Sequence, residues 1–197
     1  MKEVSTLEPY CYPLGDITVD IPKLCSSIIT LLDRLSLDIN EINSKSGFAV
    51  NLTHLPGLTG EEAWRKYSAD HARLAEQNIN EGDFTEHLAA AADLYVAEVV
   101  HSLYRRHGNF KGRCQLVWLG ARNGYNFHTD PHTPNRYHVP IITNKDCYWL
   151  FKDAVDVYKL HMPADGRAWY LDPINIKHTF HNGSDISRLH LLLTSAV

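Results

Sequence analysis

Arg136-Tyr137-His138-Val139-Pro140-Ile141-Ile142 and, past a polar turn, Tyr148-Trp149-Leu150-Phe151-Lys152 are short runs rich in aromatic and β-branched residues. Bounded by Asn, Asp and Pro, they read as strands rather than helices. Six further runs of the same kind follow Gly112, at 115–121, 125–128, 155–160, 168–171, 178–181 and 188–194. Eight short strands in so short a stretch predict a jelly roll or cupin-like double-stranded β-helix.

Upstream the period changes. Leu24, Ile28, Leu31, Leu32 and Leu35 form an apolar stripe over 22–35, with Asp20 and Pro22 near its start, which predicts a helix. A short strand follows at 48–52. Thr59-Gly60-Glu61-Glu62 reads as a capping box opening a helix to about residue 77. Asp83 followed by Glu86 predicts another helix through Leu88, Ala92, Tyr95, Val99 and Leu103, ended by Gly108. The expected fold is therefore mainly β with a helical N-terminal half (α+β), the helices packed on the outer face of one sheet. Residues 1–110 would be a helical elaboration adding one or two strands, and 111–197 the core carrying the chemistry. No low-complexity linker or internal repeat divides the chain, so 1–197 reads as a single domain.

The chain has 197 residues, with 19 Lys and Arg against 23 Asp and Glu. A net charge of −4 offers no broad basic face, which disfavours nucleic acid and anionic membrane as partners. Cys11, Cys25, Cys114 and Cys147 show no metal-ribbon or CxxC spacing and suit a reduced, cytoplasmic setting. There is no apolar leader at Met1 and no run of membrane-spanning length. Histidine is the unusual count: of 12, seven fall after residue 127. Histidine is the commonest metal ligand, so this half is where a site is expected.

Within Phe127-His128-Thr129-Asp130-Pro131-His132, residues i and i+2 of a strand share a side, so His128 and Asp130 can converge on one point. A third ligand from a distant strand would complete the two-histidine, one-carboxylate set that leaves three iron positions open. Downstream, His178 is followed ten residues later, on the next run, by Arg188. His181 falls on the opposite side of the strand from His178, and the spacing to Arg188 favours His178.

Together these motifs resemble the iron(II)- and 2-oxoglutarate-dependent dioxygenases, and within them the aspartyl/asparaginyl β-hydroxylase-like group. The resemblance spans roughly 117–197 and rests on His128 and Asp130, on Arg136-Tyr137-His138-Val139-Pro140-Ile141, and on His178 with Asn182, Gly183 and Arg188. It implies that His128, Asp130 and His178 bind iron(II) and form the catalytic centre. It further implies that Arg188 anchors the distal carboxylate of 2-oxoglutarate, and that Arg136 and His138 contribute to the co-substrate pocket. Some members have glycine in place of the carboxylate ligand; this chain keeps Asp130. The first half carries no matching motif.

The implied reaction consumes dioxygen and 2-oxoglutarate, releases succinate and CO2, and hydroxylates an amino-acid or peptide side chain (Asp/Asn- or Pro-type). The physical chemistry agrees, since a dianion enters an apolar barrel only with guanidinium partners. Two alternatives use the same fold. A cupin isomerase or hydrolase with zinc or manganese would need no Arg188, and a non-catalytic binding module would not need an intact triad. Substrate is expected to enter over Gly-, Pro- and Asn-rich loops at 122–126, 131–135 and 54–58, nominating Asn123, His132 and Asn135. His190 shares a face with Arg188, while Trp118, Trp149 and Trp169 read as core.

Overall fold

The computed structural model describes residues 1–68, 71–106, 112–130 and 135–195. The first half contains β1 (Lys2–Val4), β2 (Cys11–Thr18), α1 (Ile21–Arg34), α2 (Ile39–Asn43), β3 (Gly47–Asn51) and β4 (Thr53–His54). It continues through α3 (Gly60–Arg65), α4 (His71–Glu76), β5 (Glu86–His87) and α5 (Tyr95–Arg106). The second half is all strand: β6 (Cys114–Leu119), β7 (Asn123–Gly124), β8 (Asn135–Ile142), β9 (Cys147–Lys152), β10 (Val157–Leu160), β11 (Arg167–Leu171), β12 (Lys177–Asn182) and β13 (Arg188–Ser195).

These strands form a six-stranded sheet, β2-β11-β8-β13-β6-β3, and a five-stranded sheet, β1-β10-β9-β12-β7. From β6 to β13 the chain alternates between the sheets, except where β9 and β10 pair as neighbours. This is the winding of a double-stranded β-helix, as the eight runs predict. The first half adds three strands to these sheets rather than one or two: β2 and β3 at the two edges of the larger, β1 at an edge of the smaller.

Two apolar clusters explain the layers. One lies between the sheets and joins Trp149, Phe151 and Phe180 of the smaller sheet to Leu119, Trp169 and Leu171 of the larger. The other joins Leu24, Leu31, Val96 and Val100 of α1 and α5 to the outer side of the larger sheet. Strand parity sorts β8 and β13 between these layers. Tyr137, Val139, Ile141, Leu189, Leu191 and Leu193 all face the helices. The residues between them face inward.

The helix α1 begins as expected, with the Asp20 side chain accepting from the Lys23 N–H at 2.9 Å. The helix predicted to run from Thr59 to about 77 is instead broken: α3 ends at Arg65 and helix resumes only in α4, His71–Glu76, and Thr59 makes no side-chain cap bond. Three side chains, two from the sheet and one from the residue before β6, take the carbonyls that follow α3. The Asn51 amide donates to Lys66 O at 2.7 Å, Arg113 Nη1 donates to Tyr67 O at 3.0 Å, and the Gln115 amide donates to Ser68 O.

The helix predicted from Asp83 starts only at Tyr95. Asn80 and Asp83 cap a single 3-10 turn, and Glu86–His87 pairs with β4 instead. The expected terminator Gly108 lies outside the described residues. The strand predicted at 125–128 is displaced toward the N-terminus, to Asn123–Gly124, with His128 making an isolated bridge further on. Gly124 sits tightly against β12: a Cβ there would lie 3.0 Å from Phe180 O. No helix among the described residues is long and apolar enough to cross a membrane.

Candidate metal centre and adjoining cavity

His128 and His178 face each other across a two-residue antiparallel bridge. His128 N–H donates to His178 O at 3.0 Å, and His178 N–H donates to His128 O at 2.9 Å. The rings follow, with centroids 4.6 Å apart. Each Nδ1 meets a backbone carbonyl two residues upstream, Asn126 O at 2.8 Å and Ile176 O at 3.1 Å. A carbonyl only accepts, so both Nδ1 atoms carry the proton and both Nε2 lone pairs are left for a ligand.

Asp130 closes the triangle. Its Oδ1 is 3.6 Å from His128 Nε2 and its Oδ2 is 3.8 Å from His178 Nε2. Among the described residues this is the one group of three such side chains whose ligand atoms all lie within 4.8 Å of one another. The backbone holds Asp130 too, through its N–H on Pro173 O at 2.9 Å. Burial pushes the His178 imidazole down to about 4, against the raising effects of Ile176 O and Asp130. It is therefore neutral at neutral pH, as a metal ligand must be.

Arg136, on the inward side of β8, places Nη1 2.6 Å from Asp130 Oδ2, at angles outside those of a hydrogen bond. Its carboxylate neighbour is thus a residue of the triad, while its Nε remains without a partner. Two residues on, His138 is buried with neither ring nitrogen bonded. Burial, then Arg188 and Arg136, hold His138 far below the usual imidazole range.

Arg188 opens β13 at 5% exposure, its guanidinium carbon 3.4 Å from the Phe180 ring centroid and 5.6 Å from that of Trp149. No carboxylate among the described residues pairs with it. Burial lowers its pKa well below the ordinary guanidinium value. A buried cation without an anion is costly, and a bound anion would offset that cost.

All these groups line one cavity of about 510 Å³. Ten buried side-chain nitrogen and oxygen atoms among the described residues lack a hydrogen-bond partner, and nine belong to residues lining it. The set is lopsided. His178 Nε2 and Asp130 Oδ2 can act as ligand atoms, whereas Arg136 Nε, Arg188 Nε, Trp118 Nε1 and Trp149 Nε1 are donors. An acceptor-rich anion next to a cation would satisfy both groups. The donors fit iron(II), since two neutral imidazoles and a carboxylate are the facial set such iron takes.

Asn123 lines the cavity and donates to Ser46 O at 3.0 Å. Asn135 does not line it, and its Oδ1 accepts from the Tyr170 hydroxyl at 2.8 Å. His132 lies outside the described residues. The 54–58 segment sits by the β4–β5 pair, with Gly57 N–H on Glu86. The first half reaches the cavity elsewhere, through Ser46, Gly47, Phe48, Ala49 and Ser68. His181, as expected, turns away from His178 and packs its ring on Tyr148 at 5.2 Å. Trp149 is core and site at once, its ring 5.8 Å from His178 and 5.1 Å from His138. Its position two residues from Phe151, on the inward side of β9, was the available signal.

No protein-family model and no curated protein matches the sequence. Solved structures do. An oxidoreductase of the 2OG-Fe(II) oxygenase family from Burkholderia pseudomallei aligns over 98% of this chain and 93% of its own, at 12% identity and a TM-score of 0.55. A prolyl-4-hydroxylase from Pseudomonas putida aligns over 96% and 94%, at 10% identity and a TM-score of 0.49. At 12% identity the first of these likenesses establishes a shared fold.

Proposed function

We propose that the chain is an iron(II)- and 2-oxoglutarate-dependent dioxygenase that hydroxylates an amino-acid or peptide side chain, of the aspartyl/asparaginyl β-hydroxylase-like kind. The observation that carries this reading is Arg188, a buried guanidinium without an acid, opening into the same cavity as the His128–Asp130–His178 triangle. A metal-only cupin hydrolase or isomerase has no use for such a cation.

His128, Asp130 and His178 would hold the iron. Bound there, iron(II) would supply the activation of dioxygen that couples oxidative decarboxylation of 2-oxoglutarate to hydroxylation of a C–H bond. The chain's residues do the rest. The Asn126 and Ile176 carbonyls lock both imidazoles with Nε2 turned inward. Arg136, its Nη1 2.6 Å from Asp130 Oδ2, holds that carboxylate in place beside the two imidazoles. Arg188 takes the distal carboxylate in its planar fork, backed by the Phe180 face. Phe48, Trp118, Trp149 and Phe180 keep the cavity apolar elsewhere, which excludes water and strengthens the ion pair.

The test is succinate release from 2-oxoglutarate by the iron-loaded protein with ascorbate, over a panel of free amino acids and peptides. Substrate-stimulated succinate formation is expected for at least one aspartyl, asparaginyl or prolyl compound. No conversion of 2-oxoglutarate by iron-loaded protein under any condition would overturn the reading.

A further inference from the structure

We infer that Gln115 sets substrate specificity: it holds a hydrogen-bond acceptor fixed in the cavity wall, which selects a substrate side chain ending in a primary carboxamide over the matching carboxylate. This rests on the dioxygenase reading above. Gln115 lies on β6, whose alternate residues Cys114, Leu116 and Trp118 join the helix-side cluster, so parity turns Gln115 inward. It is 2% exposed and lines the cavity. The orientation of its amide follows from two backbone carbonyls, which only accept. Lys66 O takes the Asn51 Nδ2–H at 2.7 Å, so Asn51 turns its Oδ1 to Gln115. Gln115 Nε2 then donates to that Oδ1 at 2.8 Å, and its other N–H to Ser68 O. A flipped amide would set oxygen against oxygen at both places. Both protons are thus spent, and Oε1 is left as an acceptor without a hydrogen bond among the described residues.

The charges nearby disfavour an ionised partner for that oxygen. Histidine apart, the charged side chains lining the cavity are Asp130, Arg136 and Arg188. The first serves the metal, the second lies beside the first, and the third takes the co-substrate. Arg113, two residues before Gln115, is held bidentately by Glu81 at 2.7 and 2.6 Å. Further along β3 and β6 the wall is Gly47, Ala49 and Val117, all uncharged. A substrate carboxylate here would face Oε1 with no cation of its own, and an ammonium would lack an anion; either would be buried at high cost. A carboxamide NH2 satisfies Oε1 and brings no charge. A site built round a hydrogen bond also rejects an analogue without the donor far more sharply than an apolar pocket does.

The experiment measures substrate-stimulated succinate release by the iron-loaded protein with three sets of peptides. One set carries asparaginyl or glutaminyl residues, the second their carboxylate counterparts, and the third isosteric methyl ketones, which are neutral but have CH3 in place of NH2. In the parent protein the carboxamides should exceed both isosteres by at least about 100-fold in kcat/KM, a comparison that needs no variant. Gln115→Met should lower the carboxamides roughly 10- to 100-fold and bring them toward the ketones. A glutamine that only braces Asn51 and Ser68 would lower all three sets alike. Gln115→Lys keeps donors for Asn51 and Ser68 and offers the substrate no acceptor, so it should put the carboxylates ahead of the carboxamides. Parent protein that uses the ketones or the acids as well as the carboxamides overturns the inference, as do parental ratios in either variant. Parent protein that converts 2-oxoglutarate but is stimulated by no carboxamide overturns it and leaves the dioxygenase reading standing. No conversion of 2-oxoglutarate at all overturns both.

Discussion

The two sides of the six-stranded sheet are built from the same strands and obey opposite rules. On the helix side, β8 and β13 present Tyr137, Val139, Ile141, Leu189, Leu191 and Leu193, all packed against α1 and α5 or their neighbours. On the inner side the alternate residues are Arg136, His138, Arg188 and His190, equally buried and incompletely bonded. One side stabilises the fold, and the other carries unsatisfied groups that only a ligand can complete. A strand one residue out of step would exchange the two. The helical half is thus more than an appendage, because the burial it provides offsets the cost of the polar side.

Substitutions on the two sides should separate cleanly. The largest effect belongs to the triad: His128→Ala, Asp130→Ala or His178→Ala should reduce succinate release to background and lower bound iron measured by elemental analysis. Arg188→Met comes next. It should weaken 2-oxoglutarate by about 3–5 kcal/mol, a few hundred-fold or more, with iron content unchanged. At the same time it should raise the urea midpoint of the ligand-free protein, since a buried unpaired charge is replaced by an apolar chain. Leu191→Ala on the helix side should do the reverse. It should cost about 2–5 kcal/mol in urea unfolding, with the 2-oxoglutarate KM of the folded fraction unchanged. A Leu191 variant with an altered KM, or an Arg188 variant less stable without ligand, would break the division.

Acid should expose the same asymmetry. His138, His178 and His190 all have folded-state pKa values below the usual imidazole value, with burial the first cause in each. The unfolded chain therefore binds more protons than the native one below about pH 6.5. Stability of the metal-free protein should fall as pH drops, by about 1 kcal/mol per histidine between pH 6.5 and 5.5. Urea titrations at the two pH values check the slope, and a flat profile would mean these rings are already protonated or exposed. The smallest effect is His181→Ala, which should remove an aromatic contact worth about 0.5–1.5 kcal/mol and leave bound iron at the parental level.

Much of this was readable in the residues. The β-branched and aromatic runs after Gly112 mark seven of the eight strands of the roll, because side-chain shape and turn punctuation are local properties; the run at 125–128 lies just past the short strand Asn123–Gly124. The approach of His128 to Asp130 follows from parity, and the spacing of His178 to Arg188 from a turn joining two strands. What escaped depends on partners distant in sequence. Nothing near Arg65 says that Asn51, Arg113 and Gln115 will take the carbonyls beyond it. The start of α5 moved because Glu86–His87 found a pairing strand in Thr53–His54. Arg136 lines the cavity, and nothing in the local sequence signals that it also lies beside Asp130. The cavity wall from Ser46 to Ala49 looked like an ordinary edge strand, and only its position beside β6 gives it a role.

The bridge between His128 and His178 also constrains how the gene can change length. Each residue holds the other by both of its backbone bonds, so the two imidazoles are indexed to one crossing point. Losing or gaining a single codon within 123–128 or 177–182 turns a ring from the interior to the exterior without altering any residue's identity. A change of two codons returns it to the same side. Insertions and deletions along these strands are therefore filtered by whether their number is odd or even, a selection invisible to any count of substitutions.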